Sequence, residues 1–388
     1  MRLTGGKHLA YCTNIHRGET WSETLANLET HTLRVRDQVC PGEPYAIGLR
    51  LGAEAARELS DPATLAAFRR WLDHHDCYVF TINGFPYGRF HGTRVKEQVY
   101  APDWTTEARV AYTNLLFDLL AEMVPAGVGG SVSTVPCSFK DFIKSPEQEA
   151  AMRRNLVRCV DHMAELSERT GRELHLGLEP EPRCFVETTG EVLRFFEKLR
   201  SEHPGDDRLT RHLGVNYDTC HLAVEFEEAR ESLDRLRAEG VRISKLHLSS
   251  ALKVRFSEEA RAALSAFNDP VYFHQVVARP ADGSLARFND LPDALADATA
   301  VTAEEWRVHY HVPLHAQLAA PFETTADHLQ QALDFLREHP ELCDHFEMET
   351  YTWEVLPPEL RARSVVEQLV AEHRWTLGEF AKRGFARC

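Results

Sequence analysis

Short apolar runs alternate with longer stretches of three- and four-residue periodicity along most of the chain. The runs at 8–15, 45–51, 78–83, 128–135, 173–179, 213–218, 243–248 and 346–351 predict strands. Between them, 20–39, 62–75, 105–123, 145–170, 191–203, 223–239 and 325–339 predict helices. Within 145–170, for example, Leu156, Val160, Met163 and Leu166 share one face. Ser22, Asp61, Thr105 and Ser145 stand where N-caps belong. This alternation predicts an α/β fold, a (β/α)8 TIM barrel of the usual roughly 250 residues enlarged by insertions. We expect one domain over 1–388, its main excess a segment at 250–325 between the seventh and eighth strands. Inside that segment 269–277 and 306–314 read as extra strands, and 279–297 is rich in Pro, Asp and Gly. A doubly wound open sheet is the rival fold, but no Gly-rich phosphate-binding turn follows the first strand.

Composition narrows the function. The 388 residues carry a formal net charge of −15, and 43% are hydrophobic. Such apolar content excludes disorder. The acidic balance opposes a nucleic-acid partner, because neutralising phosphates needs a basic face. No apolar run approaches the roughly 18–20 residues that span a bilayer, and the first residues lack the apolar core of a signal peptide. Nine cysteines with no C-x-x-C pair suit a reducing cytoplasm better than a disulfide framework or a thiolate zinc site. With 20 histidines in the chain, any metal is expected on nitrogen and oxygen. Nothing in the pattern bears on oligomeric state.

In such a barrel the chemistry sits at the carboxyl ends of the strands. The fifth strand runs into Glu179-Pro180-Glu181, the sixth into Asp218-Thr219-Cys220-His221, the seventh through His247 to Ser250, and the eighth through Glu347 to Glu349-Thr350. One carboxylate at a strand end is usually a helix cap, and one histidine a hydrogen-bonded core residue. Four consecutive strands ending in Glu, Asp, His and Glu are harder to read that way. Buried carboxylates this close would repel one another and take up protons unless a cation lay between them. The mixed O/N shell suits Mn²⁺ or Zn²⁺, with Co²⁺ or Mg²⁺ as alternatives.

That series resembles the xylose isomerase-like TIM-barrel superfamily, which includes ketose 3-epimerases, sugar-phosphate isomerases and AP endonuclease IV. Closer resemblance lies in His8–His16, Asn83-Gly84-Phe85-Pro86-Tyr87-Gly88, Trp306–Pro313 and Glu349-Thr350-Tyr351-Thr352-Trp353, which look like the EboE family, associated with metabolite production and traffic. The superfamily resemblance implies Glu179, Asp218, His247 and Glu349 as metal ligands. Glu181 and Glu347 are near alternatives, since residues two apart on a strand share a face; Glu347 is expected deeper in the barrel. His221 with the His309-x-His311 pair implies either a second metal site or a metal-free contact to a substrate oxygen or phosphate. Glu181, Glu187, Lys253, Asn83 and His91 are the candidate substrate-binding residues. Trp306 and Trp353 read as either cavity wall or aromatic core, and His16 and His274 receive no role.

The implied reaction is metal-assisted proton transfer on a small polyhydroxylated metabolite, sugar, cyclitol or a phosphorylated form. One of Glu179 and Glu349 removes a proton and the other returns it, as in isomerases and epimerases. A phosphoester hydrolase like AP endonuclease IV is the second reading, although its extra histidines on the third and fourth strands have no counterpart at 78–83 or 128–135. A non-catalytic metabolite-binding or traffic protein is the third.

Overall fold

The computed structural model describes residues 1–88, 96–267, 272–297, 300–352 and 363–388. His91 and Trp353 lie outside them. Eight parallel strands form the main sheet: β1 (Lys7–Tyr11), β2 (Tyr45–Arg50), β3 (Cys77–Asn83), β4 (Gly130–Thr134), β5 (Leu174–Leu178), β6 (Leu213–Asp218), β7 (Arg242–Leu248) and β8 (His345–Met348). Each pairs with its sequence neighbour from β2 through β8, and β8 pairs with β1. A parallel bridge between Cys12 and Gly48 brings β1 back to β2, so the sheet is a nearly closed barrel. Arg2–Leu3 adds a short antiparallel edge to β1.

Alternation along the strands sorts apolar from polar groups. In β8, Phe346 points outward and meets Phe380 of the helix Val365–Lys382, with ring centroids 5.0 Å apart. His345 and Glu347 point inward, where His345 lies 5.1 Å from the His175 ring and Glu347 meets Lys245. Leu156, Val160, Met163 and Leu166 are all buried along the helix Pro146–Thr170, which Ser145 caps in a capping box with Gln148. The core therefore lies between sheet and helices, while the barrel interior is largely polar.

Several boundaries differ from the sequence expectation. β1 stops at Tyr11, and Thr13–Ile15 form a single 3-10 turn. β8 stops at Met348, which leaves Glu349 just beyond the strand. The expected helix at 20–39 is broken by a π turn at Leu28–Thr32. The excess between β7 and β8 folds as a second, antiparallel sheet ordered Ala286–Phe288, Val276–Arg279, Glu305–Val308, Leu252–Arg255, Phe322–Thr324. Its strands begin later or end sooner than the expected 269–277 and 306–314; residues 309–314 turn away from that sheet and over the barrel mouth, where His309 and His311 meet His221. Trp306 is core: it stacks on Phe256 at 4.7 Å and its indole N–H donates to Ala300 O (3.0 Å). Among the described residues no helix is long and apolar enough to cross a membrane.

Candidate metal centre

Strand register sets the site. Asp218 and Glu347 both sit level with His247, so Glu349, two residues on, stands one layer above. Glu179 leaves the end of β5 with its amide N–H held by Thr134 O (3.1 Å). Glu179, Asp218, His247 and Glu349 are all buried and offer ligand atoms within 4.8 Å of one another. His247 Nδ1 faces Glu179 Oε1 at 2.8 Å, Glu349 Oε2 at 3.2 Å and Asp218 Oδ2 at 3.6 Å.

The carboxylates and the imidazole of this cluster are held from behind. Asp218 divides its two oxygens. Oδ1 accepts from Cys220 N (2.7 Å), His221 N (3.0 Å) and Ser249 Oγ (2.6 Å), which is the cap reading. Oδ2 is buried with no hydrogen-bond partner and faces the cluster. Asn14 Nδ2 (2.8 Å) and Asn83 Nδ2 (3.2 Å) both donate to Glu349 Oε1, leaving Oε2 inward. His247 Nε2–H donates to Glu347 Oε2 (2.8 Å), and the Lys245 ammonium lies 2.5 Å from that same oxygen. Glu347 is thus the carboxylate beneath the histidine, an arrangement that fixes ring orientation at metal sites. Gly48 makes room for it, since a Cβ there would fall 2.0 Å from Glu347 Oε1.

The electrostatics fit a cation. Burial works against charge on Asp218, His247 and Glu349, yet their oppositely charged neighbours prevail. Asp218 is held well below its ordinary range, burial being outweighed by His221 and His247. Glu349 is also lowered, by His247 and His311 against burial. His247 is pushed well above its ordinary value by Glu349 and Glu179, again against burial. Three carboxylates around one imidazole thus hold a proton where a divalent ion would satisfy them better. The orphaned Asp218 Oδ2 and this O/N donor set pass the test for Mn²⁺ or Zn²⁺.

Beside this cluster His221, His309 and His311 converge, with ring centroids 4.5, 5.5 and 5.2 Å apart. Each spends its Nδ1–H on an outer acceptor: Pro180 O (3.0 Å), Gln275 Oε1 (2.7 Å) and Glu349 O (2.8 Å) respectively. The Nε2 atoms of His309 and His311 face each other at 3.2 Å. Asp218, His221 and His311, or Cys220, His309 and His311, would also come within metal-binding reach.

The remaining candidates separate. Glu181 lines the cavity above the cluster, accepts from Tyr100 OH (2.7 Å) and is pushed up to about 7 by burial. Glu187 does not line it: Lys140 (2.8 Å) and Arg287 (3.3 Å) pair with its carboxylate. Lys253 pairs with Glu323 (3.3 Å) on the second sheet, away from the cavity. Asn14, Tyr100, Lys245 and Gln275 went unassigned in the sequence reading. Asn14 lies inside the His8–His16 segment, whereas nothing local marks the other three.

Residues 47–339 match the xylose isomerase-like TIM barrel family, and the chain belongs to it. No curated protein matches. Similar solved structures include a xylose isomerase-like TIM barrel protein from Mycobacterium smegmatis in complex with magnesium, 12% identical, covering 99% of each chain at a TM-score of 0.55. The IOLI protein with a bound zinc atom is 14% identical, covering 97% of this chain and 98% of its own, at 0.51. L-ribulose 3-epimerase is 13% identical, covering 99% and 96%, at 0.50. At these identities the likeness shows the fold.

Proposed function

We propose that the protein is a metal-dependent isomerase or epimerase of a small polyhydroxylated carbonyl compound, a sugar or cyclitol. One observation carries this reading: Glu179 and Glu349 reach one point from β5 and β8, strands separated by β6 and β7, and share it with Asp218 and His247. These four residues would hold the cation. When bound, it supplies Lewis acidity that stabilises enediolate charge on the substrate. Glu179 takes the proton from the carbon next to the carbonyl, and Glu349, once it has taken up a proton from solvent, delivers it to the other face. Asn14 and Asn83 hold the Glu349 carboxylate by Oε1, which fixes Oε2 toward the cluster. Glu347 keeps the His247 ring turned toward the cation, with Lys245 balancing its charge. Zinc and magnesium in similar structures support a divalent ion, and the imidazole in the shell favours Mn²⁺ or Zn²⁺ over Mg²⁺.

The segments that resemble EboE support a place in metabolite production and traffic, and the scattered cysteines support a reducing cytoplasm. One of them forms the cavity edge here: Phe85 lines the cavity. The hydrolase reading draws on the three convergent imidazoles as a second metal site, but β3 ends in Asn83 and β4 in Thr134, which leaves it short of ligands.

The test is NMR of the metal-loaded protein with ketoses, cyclitol ketones and their phosphates in D₂O. Deuterium entering the substrate at the carbon next to the carbonyl is expected. Turnover without deuterium rejects proton transfer, and tight metal binding with no turnover across the panel favours the carrier reading.

A further inference from the structure

Glu349 and His311 both leave regular structure before they reach the cluster. β8 stops at Met348, and His311 lies in the segment that crosses the barrel mouth after Glu305–Val308. The two segments are tied to each other: His311 Nδ1–H donates to Glu349 O (2.8 Å), and the Thr352 hydroxyl donates to His311 O. They also converge on one atom of a third element. Glu372 Oε1 accepts from Leu314 N–H (3.0 Å) and from the Thr350 hydroxyl (2.8 Å), and all three residues are buried. Leu314 follows His311 by three residues, and Thr350 directly follows Glu349. Glu372 stands on the helix Val365–Lys382, beyond the residues 47–339 that match the family. Its other oxygen, Oε2, is buried with no hydrogen-bond partner. A carboxyl group with one oxygen unsatisfied costs stability that a leucine at the same place would not. In return it holds two irregular stretches of chain at one point.

We propose that Glu372 is a positioning residue of the metal centre, fixing through Leu314 and Thr350 the chain that presents His311 and Glu349. This rests on the reading of Glu349 as a ligand of the cation. Asn14 and Asn83 hold the Glu349 side chain, but its direction also depends on where its backbone stands. Glu349 N–H donates to Leu248 O (3.1 Å), so the sheet anchors one side of the residue and Glu372, through Thr350, the other.

Mn²⁺ binding by electron paramagnetic resonance and hydrogen–deuterium exchange by mass spectrometry test it in four variants. Glu372→Leu and Thr350→Val each remove the shared hydrogen bond from one side, and each is expected to weaken Mn²⁺ binding about five- to tenfold. Glu372→Gln keeps an oxygen acceptor and is expected to stay within about twofold of the wild type. Val370→Ala trims a buried side chain of the same helix that takes no part in these hydrogen bonds; it should cost stability and leave Mn²⁺ affinity unchanged. In the metal-free chain, 309–314 and 349–352 should exchange faster in Glu372→Leu, and as in the wild type in Glu372→Gln and Val370→Ala. Wild-type Mn²⁺ affinity in Glu372→Leu and Thr350→Val, or an equal loss in Val370→Ala, overturns the inference, as does unchanged exchange in Glu372→Leu. Failure of Mn²⁺ to bind the wild type overturns the functional reading, while the exchange rates still decide whether Glu372 fixes this chain.

Discussion

Replacing Lys245 by methionine separates the stability of the barrel interior from its function. Lys245 and Glu347 are both buried and 2.5 Å apart. At an effective dielectric of about 20 their direct attraction is roughly 7 kcal/mol, most of it offset by the cost of desolvating both. Removing one partner leaves the other charge stranded, and such single losses cost about 3–5 kcal/mol. Lys245→Met should therefore lose about that much in urea denaturation. Lys245→Met with Glu347→Leu should regain most of it, because an apolar pair carries no desolvation penalty. The double variant nevertheless loses the acceptor for His247 Nε2–H, so its Mn²⁺ affinity should fall 10- to 100-fold. Electron paramagnetic resonance of free Mn²⁺ measures that affinity directly. A double variant that binds Mn²⁺ like the wild type would refute the orienting role of Glu347. A fully stable Lys245→Met protein would refute the buried pair.

Gly48→Ala puts a Cβ 2.0 Å from Glu347 Oε1 and 2.6 Å from Tyr11 O; the backbone oxygen has nowhere to go, so a loss of about 1–3 kcal/mol is expected on chemical denaturation. Glu372 is buried with Oε2 unpartnered and is raised by burial from 4.5 to about 7. The folded state thus keeps a proton that the unfolded chain releases, and the stability it contributes below 4.5 is lost as pH rises through about 7. Glu372→Gln should accordingly raise Tm at pH 8 by several degrees and change it little at pH 4, and an equal shift at both would count against this. The raised pKa of His247 means that a cation must displace its proton. Metal affinity should fall about tenfold per unit as pH drops below that pKa, with about one proton released per ion in titrations run in two buffers.

The strands were legible because their apolar runs are short and bounded by polar residues, and all eight start within two residues of the expected position. The convergence of Glu179, Asp218, His247 and Glu349 was legible because four carboxyl-terminal strand ends carried ionisable groups in sequence. Depth was harder. Glu347 and Glu349 share a face, and only the register that sets Glu347 level with His247 separates the buried support from the ligand. Lys245, Tyr100 and Gln275 act through partners that are tens of residues or more away along the chain, as Gln275 does on Tyr100, and no local pattern marks such contacts. The helix Val365–Lys382 is a different case. Its Ser364–Glu367 capping box and the apolar face of Val366, Leu369, Val370 and Phe380 were present in the sequence and went unread. In the excess after β7, short strands without strict alternation left the boundaries open.

Whether Glu179, Asp218, His247 and Glu349 hold one cation between them is best decided by Mn²⁺ binding read by electron paramagnetic resonance, with pulsed detection of nitrogen. One tightly bound ion per chain is expected, coupled to an imidazole nitrogen that disappears in His247→Gln, with affinity reduced at least tenfold in Asp218→Asn and Glu349→Gln. A wild-type chain that leaves Mn²⁺ free in solution, or variants that bind it as the wild type does, would contradict the account.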